Sequence, residues 1–98
     1  MAMTNEQLAE LLVGVAKSQQ AVIDAIAQHL GQQGPAFRMG SLIHALQAAA
    51  NITGNPPPQP TLKDLPARVL LQIQGAPRPG AQRLEEWIAS ELGRILKG

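Results

Sequence analysis

Two histidines, His29 and His44, are the side chains of this chain best suited to acid–base chemistry near neutral pH. Neither has a carboxylate or a second histidine at the four-residue spacing that places two metal ligands on one helical face. Ser41 precedes His44 by three residues, but no third group is evident to orient the histidine as a base. There is no cysteine and no glycine-rich phosphate loop. The sequence therefore predicts no catalytic residue, no metal site, no cofactor and no small-molecule substrate: the protein is not an enzyme.

Composition and charge narrow the class of protein further. Hydrophobic residues make up 45% of the 98 residues, which is too high for a disordered chain. The formal net charge is +1, so no strong field favours nucleic acid or an anionic membrane. The start of the chain is polar and acidic, unlike a secretion signal, and the chain lacks cysteine, so we predict a cytoplasmic protein.

The elements that would position these residues are all helical. Helical spacing of apolar residues predicts an all-α fold with four helices, at about 4–30, 36–52, 62–74 and 81–97. Proline-rich stretches at 55–60 and 75–80 are predicted to be stiff connectors. The whole chain, 1–98, is predicted to form one small domain, in which residues 1–33 make a long amphipathic helix that also serves oligomerisation.

Local sequence signals support these boundaries. Thr4 and Gln7 have the spacing of a capping box, which predicts the start of the first helix. Gly54 is predicted to end the second helix, and Thr61 or Asp64 to cap the third, with Pro66 in its first turn. We expect the third helix to be the most buried. The last helix is predicted to bury one apolar face: Leu84, Trp87, Ile88, Leu92 and Ile95.

The first helix carries more apolar surface than one neighbour requires. Spacings of four and three residues, as in a coiled coil, align one set of positions along a seam. Gln19, or Ser18 after a shift of one residue, gives this seam a polar layer that would fix its register. A wider stripe also includes Leu11, Ile23 and Leu30. The predicted interface residues are Leu8, Leu12, Val15, Gln19, Val22 and Ile26.

Helix length favours association over packing within one domain. A helix of about 26 residues is about 39 Å long, whereas a domain of 100 residues is about 34 Å across. The other helices are shorter and are not expected to cover it completely. We therefore predict a homo-oligomer, a dimer in the simplest case, formed through the first helix. A different protein partner is a second version of the same hypothesis.

Two other classes of function remain as alternatives. A small nucleic-acid-associated regulator would use Arg38, Arg68 and Arg78, although acidic residues in the last helix oppose phosphate binding there. A structural or assembly subunit of a bacterial or phage particle would also fit a small helical chain. Membrane binding is not predicted, because the polar side of the first helix is mainly acidic.

Overall fold

The computed structural model describes residues 2–54, 59–75 and 82–97, which are mostly helical and contain no strand. The all-α prediction is therefore confirmed for the part of the chain that is described. Two turns of 3-10 helix, Gly31–Gln33 and Leu62–Asp64, and a π-helical turn, Phe37–Ser41, join or precede the α-helices. The α-helices are α1 (Asn5–Leu30), α2 (Gly34–Ala36), α3 (Leu42–Ala49), α4 (Leu65–Ile73) and α5 (Leu84–Lys97).

The long helix α1 begins and ends where its sequence signals predict. The backbone N–H of Gln7 donates to the Thr4 hydroxyl at 3.0 Å, and the Thr4 N–H donates to the Gln7 side-chain oxygen at 2.9 Å. This is the predicted capping box, which satisfies two backbone donors at the helix start. At the other end Gly31 has a φ of 59°, a conformation that favours glycine, and it ends the 26-residue helix.

The prediction of four separate helices is wrong, because the first two are joined without a non-helical linker. Residues 5–49 form one continuous helical stretch that bends at residues 31–41, so the described chain has three helical segments: 5–49, 62–73 and 84–97. Gly34 and Pro35 lie within this stretch. Pro35 occupies the first turn of α2, where its missing N–H is not needed.

The predicted end of the second helix also differs from the structure. The helix ends at Ala49, and Asn51 adopts a φ of 59°, which turns the chain in place of Gly54. Asparagine tolerates this left-handed conformation better than most residues, so it can act as a helix terminator. Of the predicted connectors at 55–60 and 75–80, residues 55–58 and 76–80 lie outside the described residues.

The third helix, α4, begins as predicted and is deeply buried. Thr61 donates its backbone N–H and its hydroxyl to the buried carboxylate of Asp64, both at 3.0 Å. Pro66 follows in the first turn of α4. No residue from Leu65 to Ile73 is exposed, which agrees with the expectation of a deeply buried helix.

The core lies where α4 and α5 pack against one side of α1. Leu65, Val69 and Ile88 are its largest fully buried side chains. On α5, Trp87, Ile88 and Leu92 are buried, and Leu84 and Ile95 pack against the core, as predicted. The molecule measures 45 × 32 × 25 Å, so a helix about 39 Å long spans most of its longest dimension.

Candidate functional site

The side of α1 that faces its own domain combines alanines with larger aliphatic residues. We call it the inner face: Ala9, Val13, Ala16, Ile23 and Ala27 are all buried. Alanine side chains allow α4 and α5 to approach the α1 backbone closely. Close approach also occurs near the end of α1, where a Cβ atom built on Gly34 would lie 2.6 Å from the carbonyl oxygen of Ala27. Glycine is therefore required at that position.

A second side of α1 carries larger aliphatic residues and is open to solvent. We call it the outer face, and its four members are spaced four, seven and four residues apart. Leu30 lies near its carboxyl end and is 39% exposed. The exposed fractions are 55% for Leu11, 42% for Val15, 59% for Val22 and 43% for Ile26. These four residues form an aliphatic stripe along the length of the helix.

The charged residues of α1 lie on a third side. Glu6, Glu10 and Lys17 line a groove that α1 forms with the start of α5. Asp24 forms an ion pair with Arg38 at 2.9 Å. That arginine and a hydrogen bond from Gln20 hold the pKa of Asp24 below its ordinary value. The outer face consequently carries no Asp, Glu, Lys or Arg.

A shallow apolar hollow lies in the carboxyl-terminal half of the outer face, where the small side chains of Ala21 and Ala25 form part of its lining. The two halves of the face are exposed to a similar degree, because Val22 and Ile26 are 59% and 43% exposed and Leu11 and Val15 are 55% and 42% exposed. The hollow is lined by Ala21, Val22, Ala25, Ile26, His29 and Leu30.

The structure places the six predicted interface residues on two different parts of α1. Val15, Val22 and Ile26 are exposed on the outer face, and Gln19 is also exposed. Leu8 and Leu12 are half-buried and pack against the core of the same chain. Leu11, from the wider stripe, takes their place on the outer face. That these residues contact another chain stays a prediction.

The polar residues in the middle of α1 do not act as one layer. Ser18 donates its hydroxyl to the Gly14 carbonyl at 3.1 Å, so this polar group is satisfied within the helix. Gln20 points to the other side, where it donates to Asp24 at 3.0 Å and accepts a hydrogen bond from Gln74. Only Ser18 and Gln19 lie beside the exposed aliphatic residues.

Residues with catalytic potential are not brought together in the described parts of the chain. His29, Ser41 and His44 are all exposed. Among the described residues, no group of three His, Asp or Glu side chains is placed to hold a metal ion. In the groove between α1 and α5, Glu85 and Glu86 form ion pairs with Arg83 at 3.2 and 3.7 Å. This groove therefore has charged walls without an acid–base pair of recognisable geometry.

Sequence reasoning missed a polar cluster that ties α4 to α5. Glu91 is buried, and its carboxylate pairs with Arg68 at 2.6 Å and with Arg94 at 2.8 Å. The Arg68 guanidinium also lies 5.5 Å from the centre of the Trp87 ring, within range of a cation–π interaction. The three-residue spacing of Glu91 and Arg94 was visible in the sequence, but the Arg68 contact depends on tertiary packing.

The arginines proposed for nucleic-acid binding are partly committed to such contacts. Arg38 pairs with Asp24, Arg68 pairs with Glu91, and Arg78 lies outside the described residues. Asp24 balances the charge of Arg38, whereas Glu91 is shared by Arg68 and Arg94, so that cluster keeps one net positive charge.

None of the helices in the described ranges is both long and apolar enough to cross a lipid bilayer. No family model, curated protein or solved structure matches this chain.

Proposed function

We propose that this chain is a non-enzymatic helical protein that acts by self-association through the outer face of α1. One observation carries the proposal: α1 buries Val13, Ile23 and three alanines against its own domain, and it still leaves an aligned set of leucine, valine and isoleucine side chains about half exposed to solvent. Helices at the surface of monomeric domains normally bury their larger aliphatic residues and expose polar ones. The arrangement in α1 fits a helix that packs against its own domain on one side and against another chain on the other side.

The energetic argument rests on the size and alignment of the exposed residues. Complete burial of an aliphatic side chain contributes roughly 1.5–3 kcal/mol, and these side chains are about half exposed, so covering each contributes about 1 kcal/mol. Single exposed aliphatic residues are common, but an aligned apolar stripe is typical of interaction sites.

The position of the charges supports the same proposal. Removing an unpaired charge from water would oppose association strongly. Because Glu6, Glu10, Lys17 and Asp24 lie away from the outer face, a second copy could cover that face without burying any of them. Ser18, in the middle of the face, already has its hydroxyl donor satisfied.

The alternatives have weaker support. A nucleic-acid-associated regulator has no described cluster of unpaired arginines to use. A particle subunit and a different protein partner would both use the same apolar surface, so they remain versions of the association hypothesis. They differ in which molecule covers the outer face. Dimerisation of the purified chain, with no other protein present, would distinguish self-association from both.

The test replaces one residue on the outer face and one residue beside it. Val22→Asp places a charge in the middle of the stripe, at a position exposed enough for the monomer to remain folded. We expect light scattering to show that this variant stays monomeric at concentrations where the unmodified chain is dimeric. Gln28→Asp is the control, since Gln28 is exposed on α1 away from the four residues of the outer face, and it should still dimerise.

Circular dichroism gives the helical content of both variants. Dimerisation of a folded Val22→Asp variant with unchanged affinity would contradict the proposal. So would an unmodified chain whose mass stays at 10.4 kDa at all concentrations.

A further inference from the structure

Helix α5 contacts the rest of the chain in two different ways. Its main contact is with α1, and only a small part of it touches α4. The helices α1 and α5 run antiparallel: Leu84 lines the same hollow as Lys17, and a Cβ atom built on Gly93 would lie 3.8 Å from the side-chain nitrogen of Asn5. The contact with α1 buries apolar side chains, whereas the contact with α4 includes a buried ion pair.

The apolar side of α5 repeats itself every four residues. The aliphatic residues at this spacing are Leu84, Ile88, Leu92 and Leu96. A slide of α5 along α1 by four residues, about 6 Å, would therefore replace one aliphatic residue with another of similar size. The buried alanines of α1 offer only small side chains against such a slide. The apolar contact alone consequently defines the register of α5 weakly.

Two buried residues of α5, Trp87 and Glu91, do not follow this repeat. Both contact Arg68 of α4: its guanidinium pairs with the Glu91 carboxylate at 2.6 Å and lies 5.5 Å from the centre of the Trp87 ring. A slide of one turn would place either Ile95 or Trp87 where Glu91 now lies. Either slide separates the guanidinium from the carboxylate and leaves a largely buried charge unpaired, which is strongly unfavourable.

We infer that the pair of Arg68 with Glu91 fixes the register of α5 on the rest of the domain, an inference that is independent of the proposed self-association. The geometry favours this role over simple stabilisation, because Nη1 of Arg68 is buried and has no hydrogen-bond partner among the described residues. An unpaired buried donor is costly, and buried ion pairs often stabilise less than apolar residues of the same size. Buried polar residues do fix register in other helical assemblies.

The two partners of the pair depend on each other unequally. Glu91 also accepts a hydrogen bond at 2.8 Å from Arg94, whose side chain is 67% exposed. Removal of the Arg68 guanidinium therefore leaves the carboxylate with one partner. Removal of the carboxylate charge leaves Arg68 with only the face of Trp87. Glu91→Gln should accordingly unfold at a lower urea concentration than the unmodified chain, and an unchanged midpoint would overturn the inference.

The single tryptophan, Trp87, reports the position of α5 in solution. The test follows its indole N–H signal by NMR, and the unmodified chain should give one signal. Arg68→Met/Glu91→Leu should give two signals, and the contacts of the second indole with methyl groups of α1 should be displaced by one turn, about 5.4 Å. The urea midpoint of this variant should equal or exceed that of the unmodified chain, because no unpaired buried charge remains.

A control variant removes an ion pair that does not involve α5. Asp24→Asn/Arg38→Gln eliminates the exposed pair between α1 and the π-helical turn, and it should keep one indole signal. If the double variant of the buried pair fails to fold, Arg68→Met alone carries the test, because its Glu91 keeps Arg94 as a partner.

One indole signal with unchanged contacts in the folded variants would overturn the inference, because the apolar contacts would then be sufficient to fix α5. A broad indole signal without contacts at a second position would also overturn it, since α5 would be loosened and not shifted. Two indole signals in the control variant would contradict it as well, because the effect would not be specific to the pair of Arg68 with Glu91.

Discussion

The inner and outer faces of α1 are both apolar, whereas an ordinary amphipathic helix has one apolar and one polar face. The inner face is buried although three of its five residues are alanines. The outer face is exposed although it consists of leucine, valine and isoleucine. The inner face packs against α4 and α5 of the same chain. The outer face has no such neighbour among the described residues.

This difference teaches that burial cannot be inferred from residue size alone. Alanines permit helices to pack closely, so they suit the interior of a small domain with few aromatic residues. Large aliphatic residues left outside require another explanation, and contact with a second copy explains their alignment and the absence of charges among them. Three predictions separate the faces further.

The largest expected effect comes from a matched pair of isoleucines on α1. Ile23 is buried on the inner face and Ile26 is exposed on the outer face. Ile23→Ala should lower the free energy of unfolding by about 2–5 kcal/mol, because it leaves a cavity in the core.

Ile26→Ala should change the monomer by only about 0.5 kcal/mol and should instead weaken dimerisation. Urea unfolding at low protein concentration measures the stability of the monomer, and light scattering measures dimerisation. Equal losses of monomer stability in the two variants would show that the faces do not differ as described.

A matched pair of glycines gives smaller effects of opposite sign. A Cβ atom on Gly34 would collide with the Ala27 carbonyl oxygen, so Gly34→Ala should cost about 1–3 kcal/mol. A Cβ atom on Gly14 would meet nothing within 4 Å, so Gly14→Ala should stabilise the monomer by about 1 kcal/mol through helix propensity. Thermal unfolding of dilute samples compares them. A stabilising Gly34→Ala would mean that α2 does not pack closely on the inner face.

The charged side of α1 should give the smallest effect, and it should depend on pH. Arg38 and Gln20 lower the pKa of Asp24, so the folded state binds this proton less readily than the unfolded state does. The stabilisation is present above the unfolded pKa and is lost as the pH falls through the lowered, folded pKa.

Asp24→Asn should therefore slightly reduce stability at neutral pH and have no effect in strong acid. The ion pair is exposed, so salt should weaken the difference. Urea unfolding at several pH values measures the difference in stability between Asp24→Asn and the unmodified chain. If the variant is destabilised equally in strong acid, the carboxylate charge is not the cause.

Local signals in the sequence predicted local structure well. Thr4 and Gln7 predicted the start of α1 because a capping box involves neighbouring residues only. The buried side of α5 followed from its simple periodicity. Gly34 and Pro35 are ambiguous in the sequence, because the same residues can stop a helix or start a new turn, and the outcome depends on contact with Ala27.

The candidate site could be predicted only as a broad stripe. The sequence showed that α1 has too many apolar residues for one neighbour. It could not show that α4 and α5 would cover the alanine side, because that depends on how the helices pack. For the same reason Leu8 and Leu12 were assigned to the seam in place of Leu11, and the buried pair of Arg68 with Glu91 was missed.

The most direct test of the central claim follows the methyl groups of the unmodified chain by NMR as it is diluted. The outer-face residues Leu11, Val15, Val22 and Ile26 should change chemical shift with concentration. Leu65, Val69 and Ile88 are fully buried and should not change. Concentration-dependent shifts confined to the outer face would support it as the contact surface. Outer-face methyl signals that stay constant up to millimolar concentration, or shifts confined to another surface, would contradict the account.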